Sequence, residues 1–471
     1  MRQRILLVAM TGLALLVPAA TASANSSQFT TVEAPRELLS GDPGVWLTLI
    51  DDLGADAIRI QVGWRNVAPK PDNRRAPSFN ASDPDAYPDG AWARYDAVVA
   101  GARERGLKVQ VTIGGPAPDW ATPKRDGLTR PDPTAFGRFA TAVARRYGSR
   151  VSWWSIWNEP NLGKFLKPIA KDESATVYRN LYTKAYSALR GVGVRAPILF
   201  GELAPQGNSL REIGTIAPLR FLRSMLCLDK NYKRVRGKRC AKLPTQGFAM
   251  HPYSTKAGPF LVPPADNVTI GVLPRLVSAL DKSARAGAIP GRLPIYITEF
   301  GVQSYPDKRV GVSLPAQSDY RSISERIAYG NSRVKSFSQY LLRDDGGTGY
   351  EYGAFESGLF LYKGDKPKPA LHSFRLPLVV VAQKPTSTRA TLWGLVRPGK
   401  QARRGGAIAI EYADAGKGWR RLATQRYGSS GYWKRSVAMK RSRKFRVKWT
   451  APDGGRYTGP ATLARFAPGT R

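Results

Sequence analysis

The chain has 471 residues, a 42% hydrophobic content, ordinary amounts of Gly and Pro, and a net charge of +38. This composition excludes an intrinsically disordered chain and suffices for one large domain plus a smaller one. The charge favours contact with anionic surfaces, namely wall polymers, acidic polysaccharide or, non-specifically, nucleic acid. A general preference for Lys and Arg, or solubility in an unusual medium, explains the positive charge equally well. The sequence has no nucleic-acid-binding motif beside the basic residues.

The N-terminus has the three parts of a secretory signal. Arg2 and Arg4 precede a short apolar run at residues 5–17, and Ala22-Ser23-Ala24 supplies a small-x-small cleavage site. We expect residues 1–24 to be removed and the protein to be secreted, either extracellular or associated with the cell wall. An uncleaved membrane anchor is the alternative, and no later stretch is long and apolar enough to span a bilayer.

Short β-rich runs alternate with amphipathic stretches from residue 28 to residue 377. Eight runs predict strands, at 29–32, 57–62, 108–113, 151–157, 197–201, 247–251, 294–298 and, more weakly, near 353–360. Four stretches between them have helical periodicity, at 92–105, 134–147, 175–190 and 273–286. Repeated βα units predict an α/β fold, a (β/α)₈ TIM barrel, over residues 25–377.

The remainder, residues 378–471, has a different pattern. Short alternating runs at 390–396, 407–412, 432–437 and 444–449 are separated by Gly, Pro and Ser, without helical periodicity. This pattern predicts a small antiparallel β-sandwich domain. The segment from Arg375 onward carries 22 Lys and Arg against three acids, so we expect this accessory domain to pack on the barrel or to adhere to anionic cell-wall polymers.

The chain has two cysteines, Cys227 and Cys240, and two histidines, His251 and His372. In an exported protein the two cysteines are expected to form a local disulfide, with two free thiols as the alternative. The histidines and the distant cysteines do not make a zinc-binding pattern, so we expect no catalytic transition metal.

The strongest chemical signal is the segment Ser155-Ile156-Trp157-Asn158-Glu159-Pro160-Asn161. An apolar strand runs directly into Asn-Glu-Pro, and proline ends the strand. The Glu159 carboxylate is therefore expected at the carboxyl end of a barrel strand, where barrel enzymes have their active sites.

A second apolar run, Leu293-Pro294-Ile295-Tyr296-Ile297-Thr298, ends in Glu299-Phe300-Gly301. A single strand-end Glu is more often a cap or an ion-pair partner. Two such carboxylates facing each other across a barrel mouth form the pair that glycoside cleavage requires, one to protonate the leaving oxygen and one to attack.

The two motifs together resemble the large clan of retaining barrel glycosidases that includes families 5 and 39, over about residues 28–376. In that clan the Glu of Asn-Glu follows the fourth strand and is the acid/base, and the Glu after the seventh strand is the nucleophile. Glu159 and Glu299 follow the fourth and seventh predicted strands. The resemblance thus implies that Glu159 is the acid/base and Glu299 the nucleophile.

Other positions match the same clan. Arg59, in Ala57-Ile58-Arg59-Ile60, resembles the strand-end arginine that supports the nucleophile. His251 and Tyr253 resemble the sixth-strand His-x-Tyr that binds sugar and hydrogen-bonds the nucleophile, and Asn158 would contact the sugar 2-hydroxyl. The residues alone also allow a plain salt bridge for Arg59 and a hydrogen-bonded core position for His251.

The sequence departs from the clan in its aromatic residues. Many members have a sugar-stacking Trp after the eighth strand, whereas residues 350–358 contain none, and Tyr352 or Phe355 is the candidate replacement. Trp64 and Trp120 follow predicted strands and are expected to stack on sugar rings. Two further residues, Trp153 and Trp154, lie within a strand and are expected in the core.

The whole arrangement resembles secreted actinobacterial-type "cellulase family" proteins. The resemblance implies a retaining O-glycoside hydrolase that acts on a polysaccharide or oligosaccharide without a cofactor. Glucosidic, mannosidic and xylosidic linkages all stay open, as do internal and terminal cleavage. The alternative is a barrel without turnover that binds cell-wall or extracellular polysaccharide, with the basic domain as its anchor.

Overall fold

The computed structural model describes residues 27–207, 214–238, 240–347, 354–383, 386–397, 404–440 and 442–466. The expected signal segment, residues 1–24, lies outside the described residues. Eight parallel strands pair in chain order, and the eighth pairs with the first to close a barrel. The strands are β1 (Phe29–Glu33), β2 (Ala57–Gly63), β3 (Lys108–Gly114), β4 (Trp153–Ile156), β5 (Ile198–Leu203), β6 (Gly247–Met250), β7 (Ile295–Ile297) and β8 (Val334–Tyr340).

Helices surround the barrel and cover its outer face. Strands β4 to β7 are mainly apolar runs, as expected of parallel strands that are buried on both faces, and every residue of β5 is buried. The predicted core positions Trp153 and Trp154 are 3% and 0% exposed. The helices are α1 (Pro35–Leu39), α2 (Gly44–Asp52), α3 (Trp64–Val67), α4 (Ala93–Glu104), α5 (Pro133–Tyr147), α6 (Glu173–Gly191), α7 (Pro218–Met225), α8 (Leu273–Arg285), α9 (Leu314–Tyr329) and α10 (Pro369–Arg375).

The predicted position of the eighth strand is wrong. It was expected near residues 353–360, but residues 354–358 form no strand and β8 lies earlier, at Val334–Tyr340. Ser336 and Ser338 on β8 are 0% and 1% exposed, so polar residues occupy buried positions that a hydrophobic pattern does not reveal. The (β/α)₈ barrel itself is confirmed.

A second, mostly antiparallel sheet follows the barrel. Its strands are β9 (Leu378–Ala382), β10 (Arg389–Leu395), β11 (Gly406–Ala413), β12 (Arg420–Tyr427), β13 (Tyr432–Ala438), β14 (Lys444–Thr450), β15 (Arg456–Thr458) and β16 (Thr462–Phe466). The strands pair in the order β12-β11-β14-β16-β9-β10-β13 within the sheet, with β15 on β14. Its edge strands β12 and β13 approach each other, and Arg435 Nη1 donates a hydrogen bond to Gln425 Oε1 at 3.3 Å. The sheet therefore curls around one apolar core, which confirms the sandwich.

The sandwich packs against helix α9 of the barrel. Ile323 on α9 is in an apolar cluster with Val379 and Trp393 from the sheet. Beside it, Glu325 of α9 forms buried ion pairs with Arg321 and with Arg397 of the sandwich. Breaking a buried ion pair leaves an uncompensated charge, so this contact holds the two domains together.

The loop after α7 contains the disulfide between Cys227 and Cys240, whose Cα atoms are 6.1 Å apart. This disulfide closes the short basic loop between the two cysteines, as predicted from the sequence. Within the described part of the chain, no helix has both the length and the apolar character needed to cross a bilayer.

Candidate active site

The carboxyl ends of the barrel strands bring the predicted carboxylates together. Glu159 follows β4 and Glu299 follows β7, and both side chains line one cleft at this end of the barrel. The cleft has a volume of about 970 Å³, which is ample for a carbohydrate ligand. Parallel strands place all their carboxyl ends on one side of the barrel, so residues from distant parts of the sequence meet there.

Glu299 is held from two sides. Arg59 Nη1 donates to Glu299 Oε1 at 2.7 Å, and the Tyr253 hydroxyl donates to Glu299 Oε2 at 3.1 Å. The residue is 8% exposed, so the carboxylate faces the cleft but has little freedom to move. The structure therefore brings Glu299, Arg59 and Tyr253 together as the resemblance implied.

Glu159 lies on a backbone with an unusual conformation. Trp157 and Glu159 have φ angles of 63° and 41°, in a region that residues other than glycine seldom adopt. Such strain is common where a side chain must point into a functional site. Burial raises the pKa of the Glu159 carboxyl, and the hydrogen bond from His251 Nδ1 to Glu159 Oε1, at 3.0 Å, opposes that rise.

Arg59 lies at the floor of the cleft and links several of its side chains. Its guanidinium has five N–H donors, and each of them has an acceptor in the structure. The side chain is fully buried, so Arg59 acts by positioning Glu299, in line with the supporting role that the resemblance implies. The five acceptors are Thr112, Glu33, Glu299, Asn158 and Glu202.

His251 is also buried and also positions other groups. Its Nε2 lies 3.1 Å from Glu202 Oε2, while its Nδ1 bonds Glu159. Burial alone would lower the pKa of His251, but Glu299 and the hydrogen bonds to Glu159 and Glu202 raise it to about 10. Burial likewise opposes the charge of Glu202, but Arg59 and His251 lower the pKa of Glu202 to about 2. His251 is thus a buried cation whose hydrogen bonds fix the orientation of Glu159.

One group of side chains in the described residues has the spacing of a metal site. Donor atoms of Glu159, His251 and Glu299 lie within 4.8 Å of one another. A histidine must be neutral at the coordinating nitrogen to bind a metal. Because the carboxylates keep His251 protonated and both its ring nitrogens are engaged, the arrangement fits a hydrogen-bonded pair of carboxylates better than a metal centre.

The walls of the cleft carry the remaining predicted contacts. Asn158 and Phe355 line it, and the Phe355 ring lies 5.1 Å from the Tyr340 ring, measured between centroids. Tyr340 ends β8, so it and Phe355 supply aromatic surface close to Glu299. The other candidate for this position, Tyr352, lies outside the described residues.

The structure does not bring Trp64 and Trp120 to the cleft. Trp64 is 1% exposed and stacks on Phe139, with ring centroids 5.8 Å apart. Trp120 packs edge-on against Trp64 and donates to the Pro69 carbonyl at 3.3 Å. An indole without a free face cannot stack on a sugar, so the prediction for Trp64 is corrected, and Trp120 is part of the same aromatic cluster.

Two acidic residues in the site were missed by the sequence analysis. Glu33 ends β1 and Glu202 lies in β5, and both bond Arg59. Each directly follows a run that had been predicted as a strand, so the rule that identified Glu159 and Glu299 would have found them too. Burial raises the pKa of Glu33 to about 8, against the effect of Arg59.

Parts of the chain match a family model and known proteins. A family model described as "Cellulase (glycosyl hydrolase family 5)" matches residues 44–312, which is more than half of the chain.

Two proteins of Oryza sativa subsp. japonica match shorter segments. "Beta-glucosidase-like SFR2, chloroplastic" is 28% identical over 144 residues, 30% of this chain and 21% of that protein. "Probable inactive beta-glucosidase 14" is 27% identical over 118 residues, 25% of this chain and 21% of that protein. The matched part thus spans about a fifth of the length of these relatives.

Solved structures also align with the chain. The β-glycosidase from Thermosphaera aggregans aligns with a TM-score of 0.45 and 19% identity, covering 74% of this chain and 94% of that one. Bacteroides uniformis beta-glucuronidase 2, covalently bound to cyclophellitol-6-carboxylate aziridine, aligns with a TM-score of 0.45 and 12% identity, covering 94% of this chain and 46% of that one.

The range matched by the family model runs from α2 to beyond β7 and includes Arg59, Glu159, His251 and Glu299. The chain belongs to glycosyl hydrolase family 5.

Proposed function

We propose that the chain is a glycoside hydrolase that cleaves O-glycosidic bonds of a polysaccharide or oligosaccharide with net retention, using Glu299 as nucleophile and Glu159 as acid/base. One observation carries the proposal. Carboxylate oxygens of Glu159 and Glu299 lie within 4.8 Å of each other across one cleft. Retaining enzymes have their two carboxyl groups about 5–5.5 Å apart, whereas inverting enzymes need a wider gap that admits a water molecule.

In the first step Glu299 attacks the anomeric carbon and the bond to the leaving oxygen breaks. Glu159 gives its proton to that oxygen, which leaves as an alcohol, and a covalent glycosyl-enzyme forms on Glu299. The raised pKa of Glu159 favours the protonated form that this step needs.

In the second step Glu159, now a carboxylate, takes a proton from water. The resulting hydroxide equivalent attacks the anomeric carbon, the bond to Glu299 breaks, and the sugar leaves with the configuration that it had in the substrate. Two displacements at one carbon restore the original configuration.

Neighbouring groups hold the two carboxylates in these roles. Arg59 and Tyr253 fix both oxygens of Glu299, so the nucleophile is oriented before substrate arrives. Asn158 lines the cleft beside Glu159. We assign its amide to the sugar 2-hydroxyl, as the resemblance implies. Its Oδ1 accepts from Arg59 at 3.0 Å, which leaves the amide N–H groups for the ligand.

We further propose that residues 25–377 act as the catalytic domain of an exported enzyme, and that the basic domain from residue 378 onward holds it on anionic polymers. Export rests on the signal-like residues 1–24, and the anchoring role rests on the 22 Lys and Arg from Arg375 onward.

The stereochemistry of the product tests this proposal. Aryl glycosides of gluco, manno and xylo configuration, each as both anomers, would be offered to the wild-type enzyme, and turnover would be followed by proton NMR. We expect the anomer released first to have the configuration of the bond cleaved, before mutarotation. Release of the opposite anomer would show inversion and contradict the assignment of Glu299 as nucleophile.

A further inference from the structure

The sandwich has one strongly basic face, formed by three neighbouring strands. Strand β11 lies between β12 and β14, and side chains alternate between the apolar core and solvent. Ile408 and Ile410 of β11 point into the core, so the alternate positions point outward. The outward residues are Ala407, Ala409 and Glu411 on β11, Arg421, Thr424 and Arg426 on β12, and Lys444, Arg446 and Lys448 on β14. We call these nine residues the basic face.

The charge of this face is largely uncompensated. It has five cations, and Glu411 is its single carboxylate. Glu411 pairs with Arg446 at 2.6 Å and with Lys448 at 3.2 Å. The exposed guanidinium of Arg421 donates to a neutral partner, the Thr424 hydroxyl, at 2.7 Å, so its charge is not neutralised there.

The shape of the face suits a single extended chain. The central strand presents the small side chains Ala407 and Ala409, whereas longer basic side chains stand on the strands to either side. Ala409 lies between Thr424 and Lys448, and Ala407 lies opposite Arg426. Since neighbouring strands are about 4.8 Å apart, the basic rows form a shallow trough roughly 10 Å wide. Its floor is formed by Ala407 and Ala409 and ends at Glu411, which is paired with Arg446 and Lys448.

We propose that the basic face binds an extended acidic polysaccharide, with its carboxylates paired to Arg421, Arg426 and Lys444. The inference deepens the anchoring role and rests on that part of the proposed function, but it is independent of the chemistry of Glu159 and Glu299. A polymer with one carboxylate on each sugar meets cations on both sides of the trough, and its rings cover the alanine floor.

The face is a poorer match for nucleic acid. Sequence-independent binding of single strands uses aromatic side chains on which bases stack. The nine outward residues include no aromatic side chain. The adjacent Trp419 already has the Arg446 guanidinium over its ring, 4.1 Å from the centroid.

The test compares two triple variants of the full chain that lose the same charge. One carries Arg421→Gln, Arg426→Gln and Lys444→Gln, which leaves the pairs made by Glu411 intact. The control carries Lys233→Gln, Arg236→Gln and Lys238→Gln, three exposed residues of the barrel loop between the cysteines. Affinity for polygalacturonate, for neutral dextran and for a DNA duplex would be measured at several salt concentrations, and the melting temperature of each variant would be recorded as a check of folding.

We expect the wild type and the control to bind polygalacturonate and not dextran. The face variant should bind polygalacturonate at least tenfold more weakly, with a shallower dependence of affinity on salt. Equal losses of affinity for polygalacturonate in both variants would show that only the overall charge matters and would overturn the proposal. Wild-type affinity in the face variant would also overturn it, as would tighter binding of DNA that depends on the basic face. Binding of polygalacturonate through the basic face without any glycosidase activity would contradict the proposed catalysis but would support the proposed role of the basic face.

Discussion

Replacement of Glu299 by glutamine is expected to lower kcat/KM on an activated aryl glycoside by at least about 10⁴-fold, because the amide keeps the shape of the side chain but cannot attack carbon. Arg59 and Tyr253 remain in place to hold it, so the loss would report on the nucleophile itself. Initial rates of aryl release would provide the measurement.

Two companion variants make this result specific. Glu104→Gln, whose side chain is 73% exposed at the end of α4, removes the same charge outside the cleft and should retain full activity. Glu159→Gln should impair substrates with poor leaving groups more than those with good ones, because only the former need a proton. A Glu299→Gln variant that kept more than a tenth of wild-type activity would show that another group is the nucleophile.

The second large effect concerns His251, which we expect to remain protonated up to about pH 10. The chain has only two histidines, so both can be followed by NMR after histidine-specific ¹⁵N labelling. Burial and the nearby Arg375 lower the pKa of His372, so the two resonances should titrate far apart. In Glu202→Gln, the loss of a carboxylate 3.1 Å from His251 should lower the pKa of His251 by about 1–3 units, and His372 should be unchanged.

The same titration has a consequence for stability. The pKa of His251 is raised above its unfolded value of 6.5, so its pairing stabilises the fold fully below pH 6.5, and this stabilisation is lost as the pH rises toward 10. The wild type should therefore lose more stability than Glu202→Gln between pH 7 and pH 10. A single titration near pH 6.5 for both histidines would contradict the network that links Glu159, His251 and Glu202.

Barrel enzymes carry their catalytic residues at the carboxyl ends of the strands, and this rule explains how much of the site could be predicted from the sequence. Glu159 and Glu299 follow apolar runs, and the structure places both of them in one cleft. Glu33 and Glu202 follow equally clear runs, but neither lies in an Asn-Glu sequence like that of Glu159 or a Glu-x-Gly sequence like that of Glu299. Their role depends on a shared partner, Arg59, and pairing between distant strands cannot be inferred from local spacing.

The aromatic residues and the eighth strand show where local patterns are insufficient. Trp64 follows a strand, as a sugar platform would, but α5 supplies Phe139 to cover its ring. Strand β8 has serines in buried positions, so its sequence lacks the apolar pattern of a buried strand, and the aromatic residue that ends it lies earlier in the chain than residues 350–358. Tyr340 at the true end of β8 contributes to that wall, and Phe355 reaches it from the following loop.

The fold of the second domain could be predicted, but not the arrangement of its charges. Alternation and turn residues indicated a sandwich, whereas the basic face depends on which strands are neighbours. Strand β11 pairs with both β12 and β14, although β14 begins at Lys444, 38 residues after the start of β11 at Gly406, and β12 and β13 lie between them in the sequence. Only that pairing places Arg421 and Lys444 on either side of the same strand.

The most direct test of the central claim is covalent labelling of the nucleophile. The wild-type enzyme would be incubated with activated 2-fluoro glycosides of the sugars that it turns over, digested, and analysed by mass spectrometry. We predict one fluoroglycosyl adduct, carried by Glu299 and absent from Glu299→Gln. An adduct on another residue, or no adduct with any sugar while the barrel still binds polysaccharide, would contradict the account and favour a barrel that binds without turnover.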